Sequence, residues 1–205
     1  MGELIRNRAM EGLRIPVITT PPNHRFPWYV RLLFWNQRRR YGQVLEPARL
    51  WGRTPKVFIT LALLYGALDR RSSPVDPVLR SLITVRVSQI NWCVFCVDIN
   101  SALALKRGAD LAKLEELERF ESSPRFAERE KAALAYAEAI TYFDRRPAPE
   151  HVARLRRHFD DETIIELTAL VAFQNLSSKF NAALGVEAQG FCRAAPQPKA
   201  PPAGE

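Results

Sequence analysis

The sequence predicts an all-α fold, namely a compact helical bundle with an N-terminal extension. Apolar residues recur at helical spacing along extended segments, for example residues 128–143. Helix-start signals, such as a capping residue followed by proline or by acidic residues, precede several of these segments. The sequence contains neither a convincing pair of strands nor an internal repeat, so helices are expected throughout.

Taken in chain order, the helical patterns cover eight segments. They are residues 26–35, 54–68, 78–90, 93–107, 110–120, 128–143, 149–159 and 160–185. The segment 78–90 is rich in Val, Ile and Thr, which leaves a β-strand as the alternative interpretation. Its length and the lack of a matching second strand favour a helix.

Local signals define several helix ends. Pro27 suits a first helical turn, and the cations at residues 38–40 follow the same aromatic segment. Thr54 is expected to be the N-cap of the next helix, whose nearly all-apolar centre predicts that it is buried. Gly108 is expected to stop the helix that begins at Cys93 by occupying the C′ position.

The charge distribution divides the chain. The net charge is +8, and residues 1–56 account for it with eleven Arg and Lys against three Asp and Glu. We therefore predict a basic N-terminal arm with an aromatic helix over residues 1–53 and a helical domain over residues 54–190. Residues 191–205 are rich in Pro and Ala without apolar periodicity, which predicts a disordered tail.

Several classes of protein are disfavoured by the same survey. No zinc-finger, helix-turn-helix or RNP signature accompanies the basic arm, so no nucleic-acid partner is expected. The aromatic helix could lie on a membrane surface, but its apolar residues run most of the way round, which favours packing on the core or on a neighbouring subunit. The sequence shows no signal peptide and no membrane-spanning run, so we expect a cytoplasmic protein.

The most informative stretch is residues 91–98, NWCVFCVD. Cys93 and Cys96 are three positions apart at the start of a helix, so both sulfurs can lie on one face. In a reducing compartment such a pair is typical of redox or metal chemistry, and core packing is the alternative. A zinc site would need further ligands, and Cys192 and the three histidines lack the spacing, so neither a metal nor a cofactor is expected.

A dithiol at a helix N-terminus has a known chemistry. The helix dipole stabilises a thiolate, which can attack a peroxide oxygen and become a sulfenic acid. A second cysteine then condenses with it to a disulfide, and an external thiol restores the pair by exchange. From the spacing alone, redox chemistry and core packing remain equally open.

Three stretches resemble the carboxymuconolactone decarboxylase-like family, in its alkylhydroperoxidase D-like branch. They are residues 79–98 with the cysteine pair, residues 126–137 and residues 161–185. The resemblance implies an alkylhydroperoxidase D-like bundle that assembles as a trimer or hexamer. It also implies that Cys96 attacks a small-molecule hydroperoxide and that Cys93 resolves the product, with a thiol reductant or a thioredoxin-like protein as the partner.

The sequence departs from the proton relay that this resemblance implies. The family has a glutamate twelve residues before the first cysteine and a histidine four residues after the second, where this chain has Ser81 and Asn100. Neither side chain is a general base near neutral pH, so Ser81 is expected to hold a water and Asn100 to hydrogen-bond the sulfur or substrate. The thiolate would then depend on the helix dipole or on a cation such as Arg86. The alternative is a non-catalytic helical oligomer that binds a ligand or a partner.

Overall fold

In the computed structural model, which describes residues 18–192, the predicted all-α fold is confirmed. Within this range the chain forms nine α-helices and one short 3₁₀-helix, and no β-strand occurs among the described residues. The helices are α1 (Trp28–Tyr41), α2 (Glu46–Gly52), α3 (Pro55–Leu68), α4 (Pro77–Ile90), α5 (Val94–Lys106), α6 (Leu111–Glu115), α7 (Glu128–Thr141), α8 (Pro149–Leu155) and α9 (Asp161–Ala183). The 3₁₀-helix is Leu117–Arg119. None of the helices described here has the length and hydropathy needed to cross a membrane.

The chain divides into two compact units after Arg70. The first unit contains the described residues up to Arg70 together with Leu184–Val186, and the second contains Arg71–Ala183 and the described residues from Glu187 onward. The predicted boundaries at residues 53/54 and 190/191 remain predictions. Residues 1–17 of the basic arm and residues 193–205 of the predicted tail lie outside the described range.

Aromatic and aliphatic residues of α1, α2 and α3 build the core of the first unit. Val30 and Phe34 of α1 meet Ala48 of α2 and Phe58 of α3, and the rings of Phe26 and Phe34 make an edge-to-face contact. The short helix α2 was not predicted. The sequence does contain a helix-start signal for it, the acid and proline Glu46-Pro47, but the signal lies between two aromatic segments and was missed.

One expectation for α3, the burial of its apolar centre, was wrong. Val57, Leu63 and Leu64 are exposed, and Phe58 and Leu68 are the fully buried side chains of this helix. Its apolar composition therefore does not reflect burial within the part of the chain that the structure describes. Thr54 occupies the predicted N-cap position, but its side chain accepts no hydrogen bond from the helix, and its hydroxyl donates to the carbonyl of Trp51 at 3.0 Å.

Helix α4 is the centre of the second unit. It packs against α5, α7 and α9, and ten of its fourteen residues are buried. This burial on several sides explains its Val- and Ile-rich sequence, which had allowed a strand as the alternative. Asp76 caps the helix by accepting hydrogen bonds from the backbone N–H groups of Val78 and Leu79.

Several predicted helices are shorter in the structure. The segment 110–120 is α6 followed by the 3₁₀-helix, and the segments 128–143 and 149–159 end at Thr141 and Leu155. The predicted stop at Gly108 is confirmed, with φ +94 and a hydrogen bond from Ala109 N to Ala104 O. These are the features of a Schellman motif with glycine at C′.

Candidate functional site

The site begins at the turn that joins α4 to α5. Cys93 N donates to Ser88 O at 3.0 Å and Trp92 N donates to Gln89 O at 3.2 Å, which is the hydrogen-bond pattern of a Schellman motif. The C′ residue of this motif is Trp92, with φ +56. A side chain at this φ costs roughly 1–2 kcal/mol. The same kind of turn is therefore made at Gly108 by a glycine and here by a tryptophan.

This turn places Cys93 at the N-cap of α5 and Cys96 in its first turn. The two residues are joined in a disulfide, with their Cα atoms 5.2 Å apart. Cys96 N donates to Cys93 Sγ at 3.2 Å, so the Cys93 sulfur occupies the position of an N-cap acceptor. The predicted pair is thus within bonding reach at the N-terminus of a helix, where a thiolate is stabilised.

Both cysteines are buried. Cys93 is 1% exposed and Cys96 is 2% exposed. The pair is nevertheless not sealed in hydrocarbon, because each sulfur accepts a hydrogen bond. A reagent from solvent reaches the sulfurs only after a local opening of the surrounding turn or side chains.

A residue of the last helix completes the surroundings of Cys96. Asn181 Nδ2 donates to Cys96 Sγ at 3.2 Å. Asn181 is 1% exposed, and its Oδ1 has no hydrogen-bond partner within the described part of the chain. A buried, unpaired carbonyl costs about 1–3 kcal/mol, which is uncommon in native proteins.

Asn175, on the same helix, makes ordinary polar contacts between helices, because it accepts a hydrogen bond from Asn91 and donates one to Thr141. A signal for Asn181 does exist in the sequence. Gln174, Ser178 and Asn181 follow one another at spacings of four and three, which puts three polar side chains on one face of the helix.

That stripe of α9 is hydrogen bonded to the end of α4. Gln174 Nε2 donates to Ser88 Oγ at 2.9 Å, and Asn91 Nδ2 donates to Ser178 Oγ at 2.8 Å. Asn100 of α5 joins the same group through Ser88 Oγ at 3.5 Å. The cysteine turn is therefore held by side chains from three helices.

Ser81 and Asn100 do not hydrogen-bond a cysteine sulfur in the described structure. Ser81 Oγ donates to Pro77 O at 3.1 Å and accepts from Arg107 Nη1 at 3.0 Å. It lies seven residues before Ser88 on α4, which is roughly 10 Å along the helix axis. Asn100 is closer, one turn beyond Cys96 on α5. Their roles in catalysis remain predictions.

Arg86 is engaged away from the sulfurs. Its guanidinium forms an ion pair with Glu138 at 2.6 Å and donates to Tyr142 Oη and Gln89 Oε1, each at 3.2 Å. Glu138 compensates its positive charge. The helix N-terminus and the Asn181 amide are left as the groups that can stabilise a Cys96 thiolate.

Asp98 anchors the end of the described chain. Its buried carboxylate accepts hydrogen bonds from the backbone N–H groups of Gln189, Phe191 and Cys192, at 2.9, 3.0 and 2.6 Å. Asp98 is therefore the acceptor that holds the segment following α9. Cys192 forms no disulfide.

Metal ligation finds no support in this part of the molecule. Between residues 18 and 192 no group of three or more His, Cys, Asp and Glu side chains is arranged to hold an ion. The site is therefore built from two sulfurs, amides and hydroxyls.

Comparison with known sequences gives the following relationships. The model of the carboxymuconolactone decarboxylase family matches residues 55–139. The uncharacterized protein YnjA of Escherichia coli K12 is 42% identical over 173 residues, which are 84% of this chain and 95% of that protein. The match to YnjA thus extends well beyond the residues covered by the family model.

Two solved structures share the fold. The alkylhydroperoxidase AhpD core of an uncharacterized peroxidase-related protein from Ralstonia eutropha JMP134 has a TM-score of 0.76 at 20% identity, covering 86% of this chain and 95% of that chain. A C-to-A variant of the debrominase Bmp8 in complex with 2,3,4-tribromopyrrole has a TM-score of 0.75 at 21% identity, covering 89% and 96%. At these identities the likeness establishes the architecture.

Proposed function

Because the chain belongs to the carboxymuconolactone decarboxylase family and has the AhpD-like fold, we propose that it is a thiol-dependent peroxidase. It reduces hydroperoxides through a Cys93–Cys96 dithiol–disulfide cycle. The observation that carries the proposal is the disulfide between these residues at the first turn of α5. It supplies the attacking and resolving sulfurs that this chemistry requires.

The cycle has three steps. The Cys96 thiolate attacks the terminal oxygen of a hydroperoxide ROOH, an S–O bond forms, the O–O bond breaks, and the departing alkoxide takes up a proton to give the alcohol ROH. The Cys93 thiolate then attacks the sulfur of the Cys96 sulfenic acid, the S–S bond forms, the S–O bond breaks, and the departing hydroxide takes up a proton to give water. A dithiol reductant restores both thiols by exchange and leaves as its own disulfide.

Two features of the site support Cys96 as the attacking residue. It lies in the first turn of α5, where backbone N–H groups and the helix dipole favour negative charge. Its sulfur also accepts the Asn181 amide proton, and a hydrogen bond to an ionised acceptor is worth about 1.5–3 kcal/mol. In this proposal Asn181 takes over the stabilising part of the relay that Ser81 and Asn100 do not provide.

The buried pair must become accessible twice in each cycle. The hydroperoxide has to reach Cys96, and the reductant has to reach one sulfur of the disulfide. The turn at residues 91–93 contains Cys93 and the strained Trp92, so we place the opening there. The closed form described here would protect the disulfide between turnovers.

The remaining features of the proposal concern the setting. The reductant is a small dithiol or a thioredoxin-like protein, and the cytoplasm supplies both. We also propose that the chain forms a homo-oligomer, either a trimer or a hexamer. The exposed Val57, Leu63 and Leu64 of α3 support this, since apolar side chains of one helix face are favoured in subunit contacts.

One observation favours a second candidate function. The near-complete burial of Cys93 and Cys96 is what a structural disulfide would show in a non-catalytic helical protein that binds a ligand or a partner. In that case the pair would be oxidised once and would not turn over.

Thiol counting separates the two functions. The fully reduced protein has three thiols, and one equivalent of hydroperoxide should remove two of them within the time of one turnover. A Cys192→Ser background serves as the matched control, because it should lose both of its thiols. With a dithiol reductant present, Cys96→Ser should consume no hydroperoxide above the rate in buffer. Equal consumption by wild type and Cys96→Ser would overturn the proposal and favour the non-catalytic protein.

A further inference from the structure

A cleft lies beside the cysteine turn, in the second unit. Its volume is about 420 Å³, which is within the range of roughly 300–1,000 Å³ for small-molecule sites. The end of α4, the residues that follow α7, and Lys179 of α9 line it. Three aromatic side chains contribute to its walls, namely Trp92, Tyr142 and Phe143.

The cleft adjoins the redox pair through the backbone. Trp92 precedes Cys93 directly, and Cys93 and Cys96 have their Cα atoms 5.2 Å apart. With about 3.8 Å between consecutive Cα atoms, the Cα of Trp92 lies within about 9 Å of the Cα of Cys96. A molecule held against Trp92 is thus near the backbone of the two cysteines, whose sulfurs it would reach through the local opening proposed at this turn.

Two of the aromatic residues are in positions that are unfavourable while no ligand is bound. Trp92 has a left-handed backbone that a glycine would adopt without strain, yet the residue is 42% exposed and lines the cleft. Phe143 is fully exposed to water. Local strain and exposed aromatic rings in one cleft are features of binding sites.

The polar groups of the cleft indicate which ligand fits. Arg86 donates to Gln89 Oε1, which fixes the amide and leaves Gln89 Nε2 buried without an acceptor among the described residues. Tyr142 Oη accepts from Arg86, so its own proton remains available to another acceptor. The cleft is therefore rich in donors.

Its charges argue against an ion as the ligand. Glu138 neutralises Arg86, and the acids Glu118 and Asp144 line the same cleft as Lys179. An anion would meet the two carboxylates, and a cation would meet Lys179 and a guanidinium. An uncharged molecule avoids both penalties.

We propose that this cleft binds the organic part of an uncharged aromatic hydroperoxide, with its ring against Trp92 and Phe143 and an oxygen accepting from Gln89 or Tyr142. The identification as a substrate rests on the proposed peroxidase function, whereas the binding itself does not. The cleft selects aryl hydroperoxides over hydrogen peroxide, because the small substrate cannot use the aromatic walls.

The test separates binding from turnover. The probe is 2-phenylpropan-2-ol, the unreactive alcohol that remains when cumene hydroperoxide is reduced, and calorimetry measures its affinity for the oxidised full chain. Phe143→Ala removes a fully exposed ring and leaves the core intact, and it should weaken binding about tenfold. Gln89→Met should weaken it similarly. Trp35→Ala is the control, since Trp35 is 51% exposed and does not line the cleft.

Kinetics with the reduced protein complete the test. Phe143→Ala should lower the ratio of kcat/KM for cumene hydroperoxide to kcat/KM for hydrogen peroxide about tenfold. Saturable binding that both variants weaken, in a protein without hydroperoxide turnover, would support the cleft and overturn the peroxidase function. Turnover of cumene hydroperoxide that neither variant affects, together with no saturable binding of the alcohol, would overturn the cleft and leave the peroxidase function standing.

Discussion

The side-chain nitrogen of Asn181 lies 3.2 Å from the sulfur of Cys96, so a residue of the last helix touches a cysteine 85 positions earlier in the chain. The contact joins α9 to the first turn of α5. In the disulfide form the amide donates to a neutral sulfur, and in the reduced form it would donate to a thiolate. The hydrogen bond from Asn181 to Cys96 should therefore become stronger when the disulfide is reduced, since hydrogen bonds to charged acceptors are the stronger ones.

Replacing Asn181 by Ala should suppress the reactive form of Cys96. Losing one charge-assisted hydrogen bond of about 1.5–3 kcal/mol should move the midpoint of thiolate formation to higher pH and slow the reaction with hydroperoxide at least tenfold. Asn181→Asp should have a larger effect, because a carboxylate beside the sulfur opposes its ionisation. Ultraviolet absorbance of the thiolate during a pH titration and rapid-mixing kinetics measure the two quantities.

Asn175→Ala is the matched control on the same helix. It removes hydrogen bonds to Asn91 and Thr141 and should lower Tm without moving the thiolate midpoint. If Asn181→Ala behaves in the same way, with a lower Tm and a wild-type midpoint, then Asn181 is a packing residue and the role assigned to it is wrong.

The left-handed backbone of Trp92 predicts a reversal of the usual order of stability between Gly and Ala. Trp92→Gly and Trp92→Ala both remove the indole, but only Gly adopts φ +56 without strain. The Gly variant should therefore be more stable than the Ala variant by about 1 kcal/mol, whereas Gly ordinarily costs stability through its flexible unfolded chain. Urea unfolding of the two proteins measures the difference.

The corresponding pair at residue 91 provides the control, since Asn91 has φ −89. There Asn91→Gly should be no more stable than Asn91→Ala. Equal or greater stability of Trp92→Ala over Trp92→Gly would show that the turn relaxes at no cost and that the tryptophan is not held under strain.

Much of the architecture follows from local signals in the sequence. Asp76-Pro77 starts α4 and Gly108 ends α5 because capping and left-handed residues act within a few positions of themselves. The apolar composition of α3 predicted burial. Such a composition shows that the surface of the helix is unfavourable in water, but it does not identify what covers that surface. Which molecule covers the surface depends on contacts distant in sequence, or on another chain.

The site was predictable only in part, for the same reason. Cys93 and Cys96 are local, so their spacing and their place at a helix start could be read from the sequence. Asn181 meets Cys96 through the packing of α9 on α5, and its place on the polar stripe with Gln174 and Ser178 does not reveal that partner. The left-handed conformation of Trp92 could not be predicted either. Hydrogen bonds to the end of α4 impose it, and no glycine in the sequence marks the position.

Asp98→Asn should release the segment that ends at Cys192. The carboxylate accepts three backbone N–H groups, and a neutral amide offers one weaker oxygen in its place. Protection of the Gln189, Phe191 and Cys192 amides against hydrogen exchange should fall at least about tenfold, which corresponds to roughly 1.4 kcal/mol of local opening free energy. Glu187→Gln, which changes an exposed acid beside this segment, should leave their exchange unchanged. Wild-type protection in Asp98→Asn would contradict the anchoring role.

The carboxylate of Asp160 should make the folding stability of the protein decrease in acid. Its Oδ1 accepts from Thr163 N at 2.8 Å at the start of α9, and hydrogen bonds from the Thr163 side chain and backbone lower the pKa of Asp160 below its ordinary value. The unfolded chain therefore binds this proton more readily than the folded one. The stabilisation is fully present above the ordinary carboxyl pKa and is lost as the pH falls through the lowered value.

Asp160→Asn keeps an acceptor for the cap and loses the charge, so its Tm should lie below that of wild type at neutral pH and converge with it in strong acid. Thermal unfolding of both proteins across this pH range measures the convergence, with Asp144→Asn as an exposed control that caps no helix. A Tm difference between wild type and Asp160→Asn that is the same at neutral and strongly acidic pH would show that the Asp160 charge does not stabilise α9.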